Sequence, residues 1–570
     1  MEDDFDTILT KLGTGKWNII FIAAMSYWYS LVPSHAVAGV FLAPLVNHTC
    51  HLPSNTSNFI STNTSTITNT STITNTNTHD IDDDSCSFLV RDNTTGNLVE
   101  ELCTQWDFDH STFVSTVTSE FQLVCEKMYL RATYQSLYMF GMMVAACFSG
   151  YLADRFGRYT IVAISTVTYS FIAVGSSWLP SLSWILAARF FLGIMHPASI
   201  LTGFILVMEV TEVKMRAIIG ISQFITWSFG TILFSWMAYL VREWRLLQTV
   251  MSIPCFLFIP CLCVMGESPR WLAVVGQHQR ALKELRRAAK WNKVTLPPDQ
   301  ELLAIMQKVQ EQALTNKHDI TSQGICSTLQ QLINKVTILF RTPKIRLVTI
   351  IMCVAHFVVS MLFYGLTLAA STSGINPFLY LALSGAAELP STSLFIPIVT
   401  RYGRKKITII SYFLCAAVLL VQPLVPSDLT WLAVMLTMTG KMLVSCVSSV
   451  VGLYSLELNP TEIRSQGLGA SMLTSRCGAF LAPFIISAVE KNHPWVIPVV
   501  FGLAALVAGV VILPLWETQN TRLPDTLAEL EGHILPPNTT ETQIKTSYNS
   551  TGKTKATSED KVILTDDACM

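Results

Sequence analysis

The sequence predicts an all-α polytopic membrane protein with twelve transmembrane helices in two pseudo-symmetric halves of six. Three observations support this: an apolar composition, twelve apolar windows of membrane-spanning length, and short charged motifs that occur twice at a nearly constant spacing. Of the 570 residues, 51% are hydrophobic and 14% are charged, against roughly 25% charged in a typical soluble protein. The net charge of -1 gives no argument for a nucleic-acid partner.

Each of the twelve apolar windows is long enough to cross a bilayer. Hydrocarbon about 30 Å thick needs a helix of about 20 apolar residues, in which every backbone polar group is satisfied within the segment. The acidic start of the chain does not resemble a cleavable signal peptide. The windows predict helices at 17–40, 132–152, 160–178, 184–209, 219–241, 247–265, 346–367, 376–399, 406–425, 430–455, 466–489 and 494–515.

Two long polar stretches interrupt the helices and differ in charge. Segment 42–128 has eleven acidic and two basic residues, whereas segment 270–346 has thirteen basic and five acidic. Because segments rich in Lys and Arg stay cytosolic, the second stretch is predicted to be cytosolic and the first extracellular, in the plasma membrane. The predicted organisation is a cytosolic N-terminus (1–16), a first half (17–265) containing the extracellular loop, a cytosolic linker (266–345), a second half (346–516) and a largely disordered cytosolic tail (517–570).

The first loop has the features of a segment exposed to the secretory lumen. It contains an even number of cysteines, which favours disulfide bonds in an oxidising compartment. Four cysteines allow three pairings, and the sequence does not choose among them. The cysteines are Cys50, Cys86, Cys103 and Cys125, and the glycosylation sequons lie at Asn47, Asn55, Asn63, Asn69 and Asn93.

Three short motifs recur in the second half of the chain. Asp154-Arg-Phe-Gly-Arg158 returns in altered form as Thr400-Arg-Tyr-Gly-Arg-Lys405, with an offset of 246 between the glycines. The Glu-x6-Arg motif that begins at Glu209 returns at Glu457, and Glu267 returns as Glu517, with offsets of 248 and 250. These offsets indicate two homologous halves around a midplane site, which is the architecture of the major facilitator superfamily.

Several segments resemble a particular family within that superfamily. Gly266-Glu-Ser-Pro-Arg-Trp-Leu272 is similar to the segment that ends helix six in sugar porters and in organic ion transporters. Phe41-Leu-Ala-Pro44 and the stretch 111–125 resemble the first loop of the organic ion transporters of solute carrier family 22, a loop that sugar porters lack. The resemblance runs from about residue 13 to residue 518. It departs from the family pattern at Thr400, usually Asp, and at Trp516 in the closing motif.

The resemblance implies an alternating-access carrier of small organic ions. Because the sequence has no phosphate-binding loop, zinc pair or nucleophile elbow, no enzymatic activity, cofactor or metal is expected. The partners expected are a small organic ion, a co-transported or exchanged ion, and lipid. Charges at the predicted cytosolic helix ends are expected to pair across the halves in one state and to separate in the other. These gate residues are Asp154, Arg155, Arg158, Glu209, Arg216, Glu267 and Arg270 in the first half, and Arg404, Glu457 and Arg464 in the second.

Ionisable residues inside the predicted helices are candidates for the substrate site, because burying a charge in a bilayer is costly. Arg476 is the most informative, since the resemblance places an Arg here in anion and carnitine-type transporters and an Asp in cation transporters. We therefore expect organic anions or zwitterions, with a cation transporter and a non-transporting receptor or scaffold as the alternatives. The predicted substrate-binding residues are Arg476, Tyr364, Trp227, Glu388, Lys441, His356 and Ser448.

Overall fold

The computed structural model describes residues 4–50, 86–91, 98–318, 337–372, 374–489, 495–521, 524 and 526–532. The membrane helices, labelled α1 to α12, correspond one to one with the twelve predicted windows. They are α1 (Lys16–Ala36, continued by Gly39–Leu42), α2 (Met128–Ala146 and Ser149–Phe156), α3 (Arg158–Gly175), α4 (Leu182–Val210), α5 (Val213–Leu240), α6 (Trp244–Phe256 and Ile259–Val264), α7 (Pro343–Leu368), α8 (Pro377–Tyr402), α9 (Arg404–Val421), α10 (Thr430–Leu458), α11 (Arg464–Val489) and α12 (Val496–Ile512).

Not every helix is apolar enough to be recognised as a membrane span by composition alone. Eight of the described helices pass a length and hydropathy test, and nine do so if α2, bent by 49°, counts as one span. The others are α1, α8 and α12. Helix α1 buries Asn18 and His35, and α8 buries Glu388, so side chains that face the protein interior lower their hydropathy. Helix α12 is apolar but has only 17 residues.

The helices of each half come into close contact at glycines. In the first half, a Cβ on Gly193 of α4 would lie 2.1 Å from the Tyr138 carbonyl oxygen of α2. In the second half, a Cβ on Gly478 of α11 would lie 2.1 Å from the Phe357 carbonyl oxygen of α7. The two halves meet where α2 packs on α11 and α5 packs on α8.

We expect Gly478→Ala to destabilise the protein, because the added methyl group pushes α11 away from α7. Overpacking of this kind typically costs about 1–3 kcal/mol. Gly469→Ala in the same helix is the matched control, since its Cβ meets nothing within 4 Å. Thermal unfolding of the purified variants is the measurement. Equal melting temperatures for the two variants would contradict the close contact.

The repeated motifs have the same geometry in both halves. Gly157 and Gly403 adopt φ angles of +99° and +96°, a region that favours glycine. At the first turn Glu267 accepts a hydrogen bond from the Tyr159 backbone N–H at 2.9 Å. At the second turn Glu517 accepts one from the Arg404 N–H at 2.8 Å. The two-half architecture predicted from the offsets is therefore confirmed.

The first loop contains two small antiparallel sheets. Strand β1 (His48–Cys50) pairs with β4 (Trp106–Phe108), and β2 (Ser87–Arg91) pairs with β3 (Leu98–Leu102). Of the three possible pairings, the structure has Cys50–Cys103 and Cys86–Cys125. Asn47 is exposed, and the other four sequons lie outside the described residues.

Glu120, in the short helix Val117–Glu120, anchors the loop to α6. It accepts hydrogen bonds from the Trp244 indole, at 2.7 Å, and from the Arg245 guanidinium. Burial raises the pKa of Glu120, but these hydrogen bonds outweigh it and hold the pKa below its ordinary value. The loop is thus held to the first half by charge, while its two disulfides cross-link the loop itself.

The interior is closed on the side of the first loop, which we call the loop side. There the Phe41 ring stacks on Phe378 of the second half at 5.1 Å, and Ser136 donates to the Phe480 carbonyl oxygen at 2.8 Å. On the opposite side, which carries the linker and is called the linker side, the ion pairs among described membrane-helix residues stay within their own half. Phe41–Phe378 and Ser136–Phe480 thus join the two halves on the loop side, whereas no such ion pair between described membrane-helix residues joins them on the linker side.

Short helices cover the linker side of the first half. The linker forms Pro269–Val274, His278–Asn292 and Asp299–His318. The helix Leu527–Gly532 follows α12 and packs against the second half, where Leu530 is buried with Ile345 and Ile463. The N-terminal segment forms a helix, Asp4–Leu12, whose apolar residues are buried in the core shared with the linker. Its Asp6 forms salt bridges with Arg216 at 2.7 Å and Arg270 at 3.4 Å.

Candidate functional site

A buried ion pair lies between α8 and α10 of the second half. Lys441 Nζ lies 3.1 Å from Glu388 Oε1, and the two side chains are only 1% and 7% exposed. The ammonium group also donates to the Thr367 hydroxyl at 2.6 Å and lies 3.2 Å from the centre of the Phe363 ring. Ser228 of the first half donates to the other carboxylate oxygen at 3.4 Å. The pair is therefore enclosed and electrically neutral.

Arg476 of α11 has a different environment. Its guanidinium interacts with the Tyr364 hydroxyl of α7 and lies within electrostatic range of His196 of α4. Next to it Ser475 shares a hydrogen bond of 2.5 Å with Ser360 of α7, which fixes the two helices beside the guanidinium. Within the described part of the chain, no carboxylate pairs with Arg476, so its charge is not neutralised by the protein there.

The first half contributes a hydrogen-bonded row of rings opposite Arg476. The Tyr138 hydroxyl lies 2.7 Å from His196 Nδ1 and 3.2 Å from the Tyr169 hydroxyl. The His196 ring also lies 6.3 Å from the Trp227 ring of α5. The predicted site residues Arg476, Tyr364 and Trp227 are thus brought into one region, with His196 between the two halves.

Arg189 of α4 is a buried charge that sequence reasoning did not single out. Its side chain is 1% exposed, and its guanidinium lies 4.6 Å from each of the Tyr134 and Tyr138 ring centres. It donates to the His35 carbonyl oxygen at 3.0 Å. An arginine inside an apolar run is the same signal that identified Arg476, so Arg189 could have been identified from the sequence in the same way. Its contacts tie α1, α2 and α4 together and position Tyr138.

The remaining predicted binding residues are not equivalent. Ser448 of α10 is exposed toward open space, and a Cβ on nearby Gly452 would meet no atom within 4 Å. His356 is 4% exposed, and its Nδ1 lies 3.0 Å from the Met352 carbonyl oxygen of its own helix. The contacts of His356 are those of a packing residue. A binding role for these two residues stays a prediction.

The predicted gate charges mostly pair within their own half in this state. Arg158 contacts both Asp154 and Glu209, at 2.8 and 3.2 Å, and Arg404 contacts Glu457 at 3.0 Å. The other members have local partners: Arg155 donates to Tyr151, Arg464 to Thr461, Glu267 accepts from Tyr159, and Arg216 and Arg270 contact Asp6. Pairing of these charges across the two halves in another state of the transport cycle stays a prediction.

Two six-helix halves around a midplane site of buried charges and rings define a membrane transporter of the major facilitator fold. The protein-family model described as "Sugar (and other) transporter" matches residues 70–526. The chain is similar to solute carrier family 22 member 2 of Mus musculus, with 31% identity covering 75% of this chain and 73% of that protein. It is also similar to the organic cation transporter protein of Drosophila melanogaster, with 28% identity covering 95% and 96%.

The chain belongs to solute carrier family 22. Among solved structures, the inward open conformation of the xylose transporter XylE from E. coli matches with a TM-score of 0.54 and 20% identity, over 74% of this chain and 92% of that chain. At this identity the likeness supports the fold alone. These relatives and neighbours are transporters, and the chain is a transporter rather than an enzyme.

Proposed function

We infer that this protein carries small organic anions across the membrane by alternating access, and that Arg476 holds their negative group. The observation that carries the proposal is the contrast between the two buried cations. Lys441 is neutralised by Glu388 at 3.1 Å, whereas Arg476 contacts the uncharged Tyr364 hydroxyl. The described site therefore has a net positive charge centred on α11.

A guanidinium suits this task because its planar donors bind a carboxylate through two parallel hydrogen bonds. With an effective dielectric constant of about 20, two unit charges 4 Å apart interact by about 4 kcal/mol. That energy attracts an organic anion and opposes a cation by the same amount. The aromatic faces of Tyr364 and Trp227 offer stacking surfaces for the organic part of the solute.

The Glu388–Lys441 ion pair also favours anions over zwitterions as substrates. A carnitine-like zwitterion carries an ammonium group as well as a carboxylate. In the structure Glu388 lies against Lys441 and Ser228. A bound ammonium group would therefore rely on the faces of Tyr364 and Trp227, which is a weaker attraction than a carboxylate.

We place the transporter in the plasma membrane with the first loop outside and both termini in the cytosol. The excess of Lys and Arg in the linker supports this orientation, as do the sequons of the first loop. The two disulfides of that loop fit an oxidising compartment.

An uptake panel tests the proposal. Cells that express the protein are given labelled hippurate, carnitine and tetraethylammonium in turn, at two values of pH and with or without sodium. We expect hippurate to accumulate above mock-transfected cells and tetraethylammonium not to accumulate. Surface biotinylation in the same cells measures how much protein reaches the membrane.

The competing functions have distinct outcomes in this panel. The Drosophila relative is named an organic cation transporter, so selective uptake of tetraethylammonium would favour that alternative and remove Arg476 from the site. Failure of all three solutes to accumulate, with the protein at the surface, would favour a non-transporting receptor or scaffold.

A further inference from the structure

The row of hydrogen-bonded rings in the first half ends at the substrate site and is not needed to bind an anion. It runs from Tyr169 through Tyr138 to His196, and all three side chains are almost fully buried, with 0%, 0% and 4% exposure. The edge of Tyr169 lies against His35 at 5.4 Å between ring centres. Among the groups of this row, the imidazoles are the ones whose ordinary pKa lies nearest to physiological pH.

The packing of α4 against α2 fixes the position of His196. One turn earlier in α4, Gly193 lies so close to α2 that a Cβ would meet the Tyr138 carbonyl oxygen at 2.1 Å. Pro197 follows directly, and Ser199 donates to the His196 carbonyl oxygen at 2.9 Å. The ring is thereby held between Tyr138 and the second half.

The Tyr138 hydroxyl allows the His196 ring to carry two protons. A hydroxyl both accepts and donates, so it can accept a hydrogen bond from Nδ1–H while donating its own to Tyr169. The groups around His196 then decide whether a second proton is favoured. The titratable or charged ones are His35 of α1, Tyr138 of α2 and Arg476 of α11. The uncharged Trp227 ring of α5 lies beside His196, and Arg189 of its own helix lies against the Tyr138 ring.

Arg476 is the member of this set that changes when substrate binds. A protonated His196 and Arg476 are like charges that face each other across the two halves, and they repel in the empty site. A substrate carboxylate on Arg476 neutralises that repulsion and adds an attraction for the imidazolium. By linkage, protonation of His196 must then strengthen anion binding by the same factor.

We propose that His196 is a proton-binding site that couples organic-anion uptake to proton entry, so that each anion crosses with one proton. This inference rests on the proposed function. The proton enters from solution, resides on the imidazole while the anion occupies Arg476, and leaves with the anion on the other side. The cycle is electroneutral, and the only bond formed and later broken is the N–H bond that holds the transported proton on the imidazole.

The test uses the full-length protein in liposomes that enclose a pH-sensitive dye, with protein-free liposomes as the blank. With the outside more acidic by one pH unit, a one-to-one coupling accumulates labelled hippurate up to about tenfold and acidifies the lumen in step. His196→Gln is expected to exchange hippurate across the membrane but to lose both the accumulation and the acidification. Tyr138→Phe keeps the ring on Arg189, removes the hydroxyl, and is expected to weaken the pH dependence.

His278→Gln is the matched control, because His278 lies in the linker helix and contacts Gln310 at 2.8 Å. It is expected to behave as wild type. Net hippurate uptake by wild type without lumen acidification, or gradient-driven accumulation by His196→Gln, would overturn proton coupling while leaving the anion transporter intact. Absence of any hippurate transport by wild type would overturn both proposals.

Discussion

Replacement of Arg476 by glutamine is expected to reduce hippurate uptake by about 10- to 100-fold, with the amount of protein at the cell surface unchanged. Hydrogen bonds to charged groups contribute about 1.5–3 kcal/mol, and every 1.4 kcal/mol corresponds to a factor of ten. Arg476→Lys keeps the charge but loses the paired donors, so an intermediate loss is expected. Arg476→Asp reverses the charge and should abolish anion uptake.

Initial uptake rates over a range of hippurate concentrations check this prediction. Arg286→Gln is the control, because Arg286 pairs with Asp299 on an exposed part of the linker. Because Arg476 is half-buried and has no ion-pair partner in the described part of the chain, its loss leaves no carboxylate unpaired there. Wild-type rates for Arg476→Gln would show that the anion binds elsewhere.

The second large effect is expected at the Glu388–Lys441 pair. Glu388→Gln leaves the Lys441 ammonium in a site where it is only 1% exposed, and Lys441→Gln leaves the carboxylate there. Removal of one partner from a buried ion pair typically costs about 3–5 kcal/mol. Each single variant should therefore unfold at a clearly lower temperature and reach the surface in smaller amounts.

The double variant Glu388→Gln with Lys441→Gln tests whether the two charges stabilise the protein by pairing with each other or act independently. It removes both charges together, so most of the lost stability should return. Thermal unfolding of the purified wild-type, single and double variants gives the interaction energy as a double-mutant cycle. Additive losses in the double variant would contradict the view that the two charges stabilise each other.

The sequence predicted the helices because each is an apolar stretch of about membrane-spanning length, although buried polar side chains lower the hydropathy of α1 and α8. The motif offsets also predicted the two halves, since Gly157 and Gly403 form the same turn with Glu267 and Glu517. The disulfide pairing could not be predicted from the sequence, because the strands that bring Cys50 beside Cys103 contain only three to five residues each. Strands this short show little of the apolar and polar alternation from which a strand is predicted.

The site was predicted in its parts but not in its connections. Arg476 and Lys441 both appear as cations in apolar helices. Only the structure shows that Glu388 neutralises Lys441, whereas Arg476 has no carboxylate partner in the described part of the chain. The Tyr138–His196 contact depends on the close crossing of α2 and α4, which two separated glycines do not reveal. The N-terminal helix was a missed signal, since Phe5, Ile8, Leu9 and Leu12 have helical spacing and are buried to 2% exposure or less.

The most direct test of the account is counterflow by the purified protein in liposomes preloaded with one unlabelled solute. The account predicts that hippurate inside the liposomes drives transient accumulation of labelled hippurate, that tetraethylammonium does not drive its own accumulation, and that Arg476→Gln removes the hippurate signal. Counterflow of tetraethylammonium, with none for hippurate, would contradict a positively charged substrate site.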